Sequence, residues 1–410
     1  MRQDDGGLDP ERQTEAETNV ASWCRTVTFP FPNFSREDPE SIRGTIDDPP
    51  SRLSRNNEGH IPMPDPETGA AGARSPMLVD IALQGGGSHG AFAWGALDRL
   101  LDHPWITVEG ISGTSAGAMN AAVFAHGMAV AGPEGARAAL HGFWKAVSDA
   151  ARYSPFQRTP LDRLMGNWTL DFSPAYIAAD TMSRFVSPFA FGSLAARWNP
   201  LRRILEESID FEVLANGPIK LFITATNVRT GRGRVFRLGE ITADVLLASA
   251  CLPTLYQPVE IDGEAYWDGG FSGNPTIAPL VRECVSADTF LVQVNPVTRP
   301  DVPTSARDIV NRINEVSFNA TLLKELKMVA LMRQIADPGN TEGRLWGEMR
   351  LHRIASEAMV ALSASSKLNA EWAFLTMLKE EGRRAVDDFV ARHHDDVGVR
   401  STFDFEDLLD

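Results

Sequence analysis

The sequence predicts an α/β layer fold, and three observations carry that reading. A strand-length apolar run, MLVDIALQ from Met77, closes in the glycine cluster Gly85-Gly86-Gly87. The same order of strand, glycine turn and helix returns between Ile106 and Ala131. Further strand-like runs then alternate with helical stretches as far as Asn295, the pattern of helices layered on a sheet. A chain of 410 residues, 43% hydrophobic and 23% charged, has room for one large core or two ordinary domains, which excludes a disulfide miniature, a collagenous repeat and a wholly disordered chain.

Residues 1–76 hold ten of the 26 prolines and no lasting apolar period, so they read as a disordered, acidic, proline-rich tail. The core begins at Met77. After the glycine cluster, AFAWGALDRLL reads as a helix, ITVEGIS (106–112) as a strand, and the small-residue stretch SAGAMNAAVFAHGMAV as a second helix. Strands are expected at Lys220–Asn227, Val259–Trp267 and Thr289–Asn295, with helices near 201–208, 241–250 and 275–284. Between them, 151–199 crowds Phe, Trp, Tyr and Pro without a period and is expected to be an irregular cap or pocket lining. Leu322, Leu326, Val329 and Met332, then Trp372, Leu375, Leu378 and Phe389, recur at helical spacing. The expected division is therefore a tail (1–76), a core domain (77–300) and a helical C-terminal extension packed on it (301–410).

The formal charge of −15 repels nucleic-acid phosphates at long range and argues against nucleic-acid binding. Cys24, Cys251 and Cys284 form no C-x-x-C pair, so a disulfide framework and a zinc knuckle are both excluded; Cys251 and Cys284 read as buried small hydrophobes. The first 25 residues lack the apolar core of a signal peptide, and the most apolar later run, Ala116–Ala131, falls short of a membrane span. The expectation is a cytoplasmic protein, at most peripheral to a membrane.

Chemistry concentrates at two glycine-flanked serines. Gly113-Thr114-Ser115-Ala116-Gly117 lies between an expected strand and helix, where a sharp turn lifts a serine oxygen out of the sheet edge. Gly86-Gly87-Ser88-His89-Gly90 repeats the pattern upstream, so the motif alone does not choose the nucleophile. A nucleophile needs a rigid backbone, whereas successive glycines let N–H groups approach a charged oxygen. Ser115 is accordingly assigned as nucleophile, with Gly113 and Gly117 as its elbow and Gly85, Gly86 and Gly87 as oxyanion donors. The base candidate is Asp268, followed by Gly269 and Gly270 in a tight acid turn. A free aspartate, with a pKa of about 3.9, is a poor base, so the site must desolvate it.

The ordered blocks Gly85–Gly90, Gly113–Gly117, Ala248-Ser249-Ala250-Cys251-Leu252-Pro253 and Asp268-Gly269-Gly270 resemble the patatin-like phospholipase family over roughly residues 77–300. The resemblance implies a three-layer α/β/α fold and a catalytic Ser–Asp dyad at Ser115 and Asp268. It also implies an oxyanion hole in the glycine loop and hydrolysis of lipid esters without a metal or cofactor. Many members carry Arg or Lys where this chain has His89, which becomes the candidate head-group contact.

Two rivals stand beside this reading. A Ser-His-Asp esterase would draw its base from His352, His393 or His394. A non-catalytic lipid-binding protein would keep the fold without turnover. The substrate class, a lipid ester met in transient contact with a membrane or lipid surface, is set by the pocket rather than the fold. Arg202–Arg203 and the arginines of 229–237 are candidate head-group contacts.

Overall fold

The computed structural model describes residues 74–183, 185–187, 189, 200–335, 337 and 339–405. The expected tail lies almost wholly outside these, as do residues 191–199 of the aromatic segment.

Eight strands form one mixed sheet: β1 (Met77–Leu83), β2 (Ile106–Gly113), β3 (Lys220–Asn227), β4 (Gly233–Arg237), β5 (Val259–Ile261), β6 (Glu264–Asp268), β7 (Asp288–Val292) and β8 (Arg350–Ile354). The order across the sheet is β5-β6-β3-β2-β1-β7-β8, with β4 also paired to β3. The line β3-β2-β1-β7-β8 is parallel, and β4, β5 and β6 run antiparallel to their neighbours.

Because successive strand residues point to opposite faces, β1 sorts the core into two. Val79, Ile81 and Leu83 enter the larger cluster, packed under α1 (Gly90–Leu100), α2 (Ala116–Ala151), α3 (Ala243–Ser249) and, far along the chain, the C-terminal helix Trp372–His393. Ala82 enters the second, with Phe222, Leu291 and Leu351, beneath α4 (Ala278–Glu283), α5 (Ala306–Ile335) and α6 (Thr341–Glu348); the C-terminal helix is therefore α7. The result is three layers, a sheet with helices on both faces. The small-residue start of α2 is buried from Ala116 to Ala125, and its backbone leaves helical geometry at Ala131–Gly132, just ahead of Pro133.

Three differences from expectation have local causes. The run 259–267 is a hairpin rather than one strand, because Asp262 and Gly263 take positive φ and reverse the chain between β5 and β6. Strand β4 was not expected, since four arginines among residues 229–237 mask the buried Phe236. The C-terminal region is not purely helical: Arg-Leu-His-Arg-Ile joins β7 as β8, with Leu351 and Ile354 buried on opposite sides. A five-residue run carrying two arginines has too little apolar signal to be read as a strand before its partner is known.

The aromatic segment is partly ordered into helices Pro160–Leu164 and Pro174–Ser183. It packs on the stretch preceding α7. Arg158 stacks over the Trp168 ring at 4.1 Å and pairs with Glu371 at 2.6 Å, and Leu170 N–H donates to Ser365 Oγ at 2.9 Å.

Candidate active site

The site arises from unequal strand lengths. One edge of β3 pairs with β2 up to Gly113 opposite Ile223, and with β6 beyond it, where Ala225 lies opposite Asp268. Because β2 runs parallel to β3 and β6 antiparallel, the two strands converge end to end on that edge. The serine two residues after β2 and the aspartate that ends β6 therefore meet, although they are far apart in sequence.

Ser115 has φ 56° and ψ −124°, a backbone region that residues with a Cβ rarely occupy; among the described non-glycine residues only Asp262 also has positive φ. Its N–H donates to Ser249 Oγ at 2.9 Å, and Ser249 Oγ–H donates onward to the Thr224 carbonyl at 2.7 Å. A Cβ on Gly113 would lie 2.6 Å from the Gly117 carbonyl oxygen, and one on Gly117 would strike that of Leu83, so strand and helix close up around the turn only with glycine there. Ser88 sits instead in an ordinary 3₁₀ turn, Gly87–His89.

Asp268 is 1% exposed. Its carboxylate accepts a hydrogen bond from the Gly270 N–H at 2.7 Å through Oδ1. Burial pushes the carboxyl up to about 7, opposed by the Gly270 N–H, the neighbouring Ser115 side chain and the positive charge of Lys367. Its backbone is held as well: the N–H by the Cys251 carbonyl and the C=O by Thr226 Oγ1, both at 2.8 Å. Cys251 is buried, and burial with the charge of Asp268 pushes its thiol up to about 12, so it stays protonated. Cys284 is buried too.

The glycine loop lies directly against Ser115, since a Cβ on Gly85 would come 2.7 Å from that of Ser115. The three expected donors are not equivalent. The Gly85 N–H is taken by Asn274 Oδ1 at 2.7 Å, which corrects its place in the donor set. Among the described residues no protein acceptor takes the N–H of Gly86 or Gly87, and Gly87 has φ +59°. Asn295 Nδ2 donates to the Gly85 carbonyl at 2.6 Å, and Gln84 Oε1 accepts from the Val294 and Asn295 amides at 2.9 and 2.8 Å.

His89 is corrected as well. It is 3% exposed, its Nε2 pairs with Ser366 Oγ at 2.8 Å and its ring meets the edge of Phe374. Burial, then the charges of Lys367 and Arg299, hold its pKa well below the usual histidine range, so the ring is a neutral internal contact rather than a head-group site. Of the other candidate head-group residues, Arg202 pairs with Glu206, Arg203 with Glu207, Arg229 with Glu264, Arg234 with Glu240 and Arg237 with Glu283, while among the described residues Arg232 has no ion-pair partner.

The three histidines of the rival esterase also lie elsewhere. His352 Nε2 pairs with Asp288 at 2.9 Å, His393 with Asp396 at 2.9 Å and His394 with Asp395 at 2.8 Å. Asp80, Glu109 and Cys284 bring ligand atoms within 4.8 Å of one another, but Glu109 is already engaged by Lys220 Nζ at 2.8 Å and by the Val285 and Ser286 amides. Asp80 and Glu109 lie on β1 and β2, away from the carboxyl ends that carry the site, and Cys284 follows α4.

Asn274, Asn295 and Lys367, which frame the glycine loop, carry no motif of their own; of the framing residues only Ser249 stood inside a recognisable block. No described helix is long and apolar enough to cross a membrane.

The family model described as patatin-like phospholipase matches residues 81–281, the stretch that carries the glycine loop, Ser115 and Asp268. Among solved structures, VipD from Legionella pneumophila is similar at 16% identity over 76% of this chain and 68% of its own, with a TM-score of 0.30. ExoU in its complex with SpcU, from the type III secretion system of Pseudomonas aeruginosa, is similar at 16% identity over 78% of this chain and 61% of its own, less than two thirds, with a TM-score of 0.26. No curated protein matches the sequence. Over residues 81–281, just under half of its length, the chain is similar to the patatin-like phospholipase family.

Proposed function

We propose that this protein is a serine acyl hydrolase that releases fatty acids from lipid esters through a Ser115–Asp268 dyad. The observation that carries the reading is the convergence of β2 and β6 on one edge of β3, which sets the strained Ser115 against the buried Asp268 carboxylate. A carboxyl raised to about 7 is matched to proton transfer near neutral pH, which a solvated aspartate is not.

In the first step Ser115 Oγ attacks the ester carbonyl while its proton passes to Asp268. The oxyanion is received by the free Gly86 and Gly87 amides, donors that need no reorganisation as charge develops. The C–O bond to the alcohol then breaks, the leaving oxygen takes the proton from Asp268, and an acyl-Ser115 ester remains. Water, giving a proton to Asp268, attacks that ester; Ser115 regains a proton and the fatty acid leaves. Phe271, 41% exposed three residues beyond Asp268, supplies apolar surface next to the acid turn and supports a lipid substrate met in transient membrane contact.

The test is labelling by a fluorophosphonate probe, with the modified residue located by mass spectrometry in wild type, Ser115→Ala and Ser88→Ala, beside hydrolysis of a medium-chain aryl ester. Label on Ser115 and turnover that both vanish only in Ser115→Ala are expected. Label on Ser88 would reassign the nucleophile; neither label nor turnover would leave a lipid-binding protein.

A further inference from the structure

The glycine loop carries no cation of its own, because its His89 is buried and paired with Ser366. The next residue of that partner segment does carry one. Lys367 lies on the short 3₁₀ stretch Ala364–Leu368, and a Cβ on Gly87 would come 2.5 Å from its carbonyl oxygen, so its backbone abuts the loop. Its ammonium donates to Asn295 Oδ1 at 2.7 Å, and Asn295 Nδ2 donates to the Gly85 carbonyl at 2.6 Å. Ammonium, amide and glycine loop thus form one hydrogen-bonded chain.

An ammonium has three N–H donors, and among the described residues only Asn295 takes one of them. No described carboxylate lies within 4.0 Å of it; Glu315, which its field reaches, is committed to Arg299 at 2.6 Å and Arg312 at 3.2 Å. The charged and titratable groups that feel Lys367 are Glu315, Arg299, His89 and Asp268. Those that face Asp268 are Ser115, Cys251 and Lys367. Ser115 and the raised Cys251 thiol are uncharged at neutral pH; burial lowers the Lys367 pKa, helped by Arg299 and opposed by Glu315 and Asp268, and in its charged form Lys367 is the cation acting on the carboxylate.

We propose that Lys367 is the positioning cation of the acyl-hydrolase site, holding the glycine loop in place through Asn295 and facing Asp268 with the positive charge that the loop itself lacks. This rests on the acyl-hydrolase reading. Removing the charge makes the carboxylate harder to form, so the acid limb of the pH profile moves up. Removing the donor loosens the loop, so kcat falls more than KM rises.

Three variants separate the effects. Lys367→Met removes charge and donor, Lys367→Gln keeps a donor for Asn295 without charge, and Lys367→Arg keeps both. Aryl-ester kcat and KM are measured from pH 5 to 9, with circular dichroism to confirm folding. Lys367→Met is expected to lose about 100-fold in kcat, in the range of one lost oxyanion donor, with KM changed only a few-fold. Its acid limb and that of Lys367→Gln should rise by about one pH unit, while Lys367→Arg retains the wild-type limb. Lys367→Gln carries the test by itself should Lys367→Met not fold. An unmoved limb in folded Lys367→Gln, or an equal loss in Lys367→Arg, would reduce Lys367 to a packing role and overturn the proposal. A wild type that neither turns over nor labels at Ser115 overturns the acyl-hydrolase reading first, and this inference with it.

Discussion

Ser115 occupies a conformation that costs roughly 1–3 kcal/mol and is held by bonds on either side of it, its N–H on Ser249 and its elbow glycines against Leu83 and Gly117. Comparing Ser115→Gly with Ser115→Ala isolates this cost, because both lose the hydroxyl and only glycine relieves the backbone. Chemical unfolding is expected to find the glycine variant more stable by about 1 kcal/mol. In the proposed dyad, Asp268 would set the pH response of the same site. With its carboxyl pushed up to about 7, the proton acceptor of that mechanism is present above that pH and lost below it, so kcat/KM should rise with pH and level off just above neutrality. Asp268→Asn should lose about 1000-fold in kcat without unfolding, a combination that steady-state kinetics and circular dichroism resolve together.

Among elements, the pairing of α1 with α7 links the C-terminal region to the glycine loop, since α1 begins at Gly90, where the loop ends, and α7 carries Phe374 against His89. The two helices cross at Gly95 and Gly382, where an added Cβ would run into the backbone of Lys379 and Phe92 respectively. Alanine in a helix normally gains about 1 kcal/mol over glycine; here backbone cannot give way, so the sign reverses. Gly95→Ala is expected to destabilise by about 1–3 kcal/mol, read from the urea midpoint. Neither glycine was legible as a crossing point in the sequence, because a glycine inside a helical pattern shows its reason only once the facing helix is in place.

For the molecule as a whole, the far edge of the sheet is fastened by one carboxylate. Asp288, at the start of β7, accepts from Arg350 and His352 of β8 and from the Gly398 N–H, at 2.6, 2.9 and 2.7 Å. Burial works to raise this carboxyl, yet those hydrogen bonds outweigh it and hold it well below the ordinary range. The folded pKa lies below the unfolded one, so the stabilisation is complete above the ordinary carboxylate value of about 4 and is lost as pH falls through the depressed one. Asp288→Asn is expected to cost about 3 kcal/mol at neutral pH and to flatten the acid-side decline, measured by urea unfolding at pH 7 and pH 3. The same contacts bring β8 into the sheet, so part of what was expected to be a helical extension packed on the core domain completes the central layer.

By itself the sequence determined the local chemistry: the apolar runs of β1 to β3, the small-residue helix after Ser115, the glycines at the elbow and the acid at a strand end. These are legible because strand period, helix composition and turn residues are short-range properties. Tertiary structure alone decided that β2 and β6 abut on one edge of β3, bringing Ser115 to Asp268, because strand pairing depends on neighbours far away in the chain. It also decided which amides of the glycine loop are free, since Gly85 is silenced by Asn274, and where the site's positive charge sits. His89 and Lys367 are both basic letters in the sequence. Burial and hydrogen-bond partners, which no local pattern records, make the first a neutral contact and tie the second through Asn295 to the glycine loop.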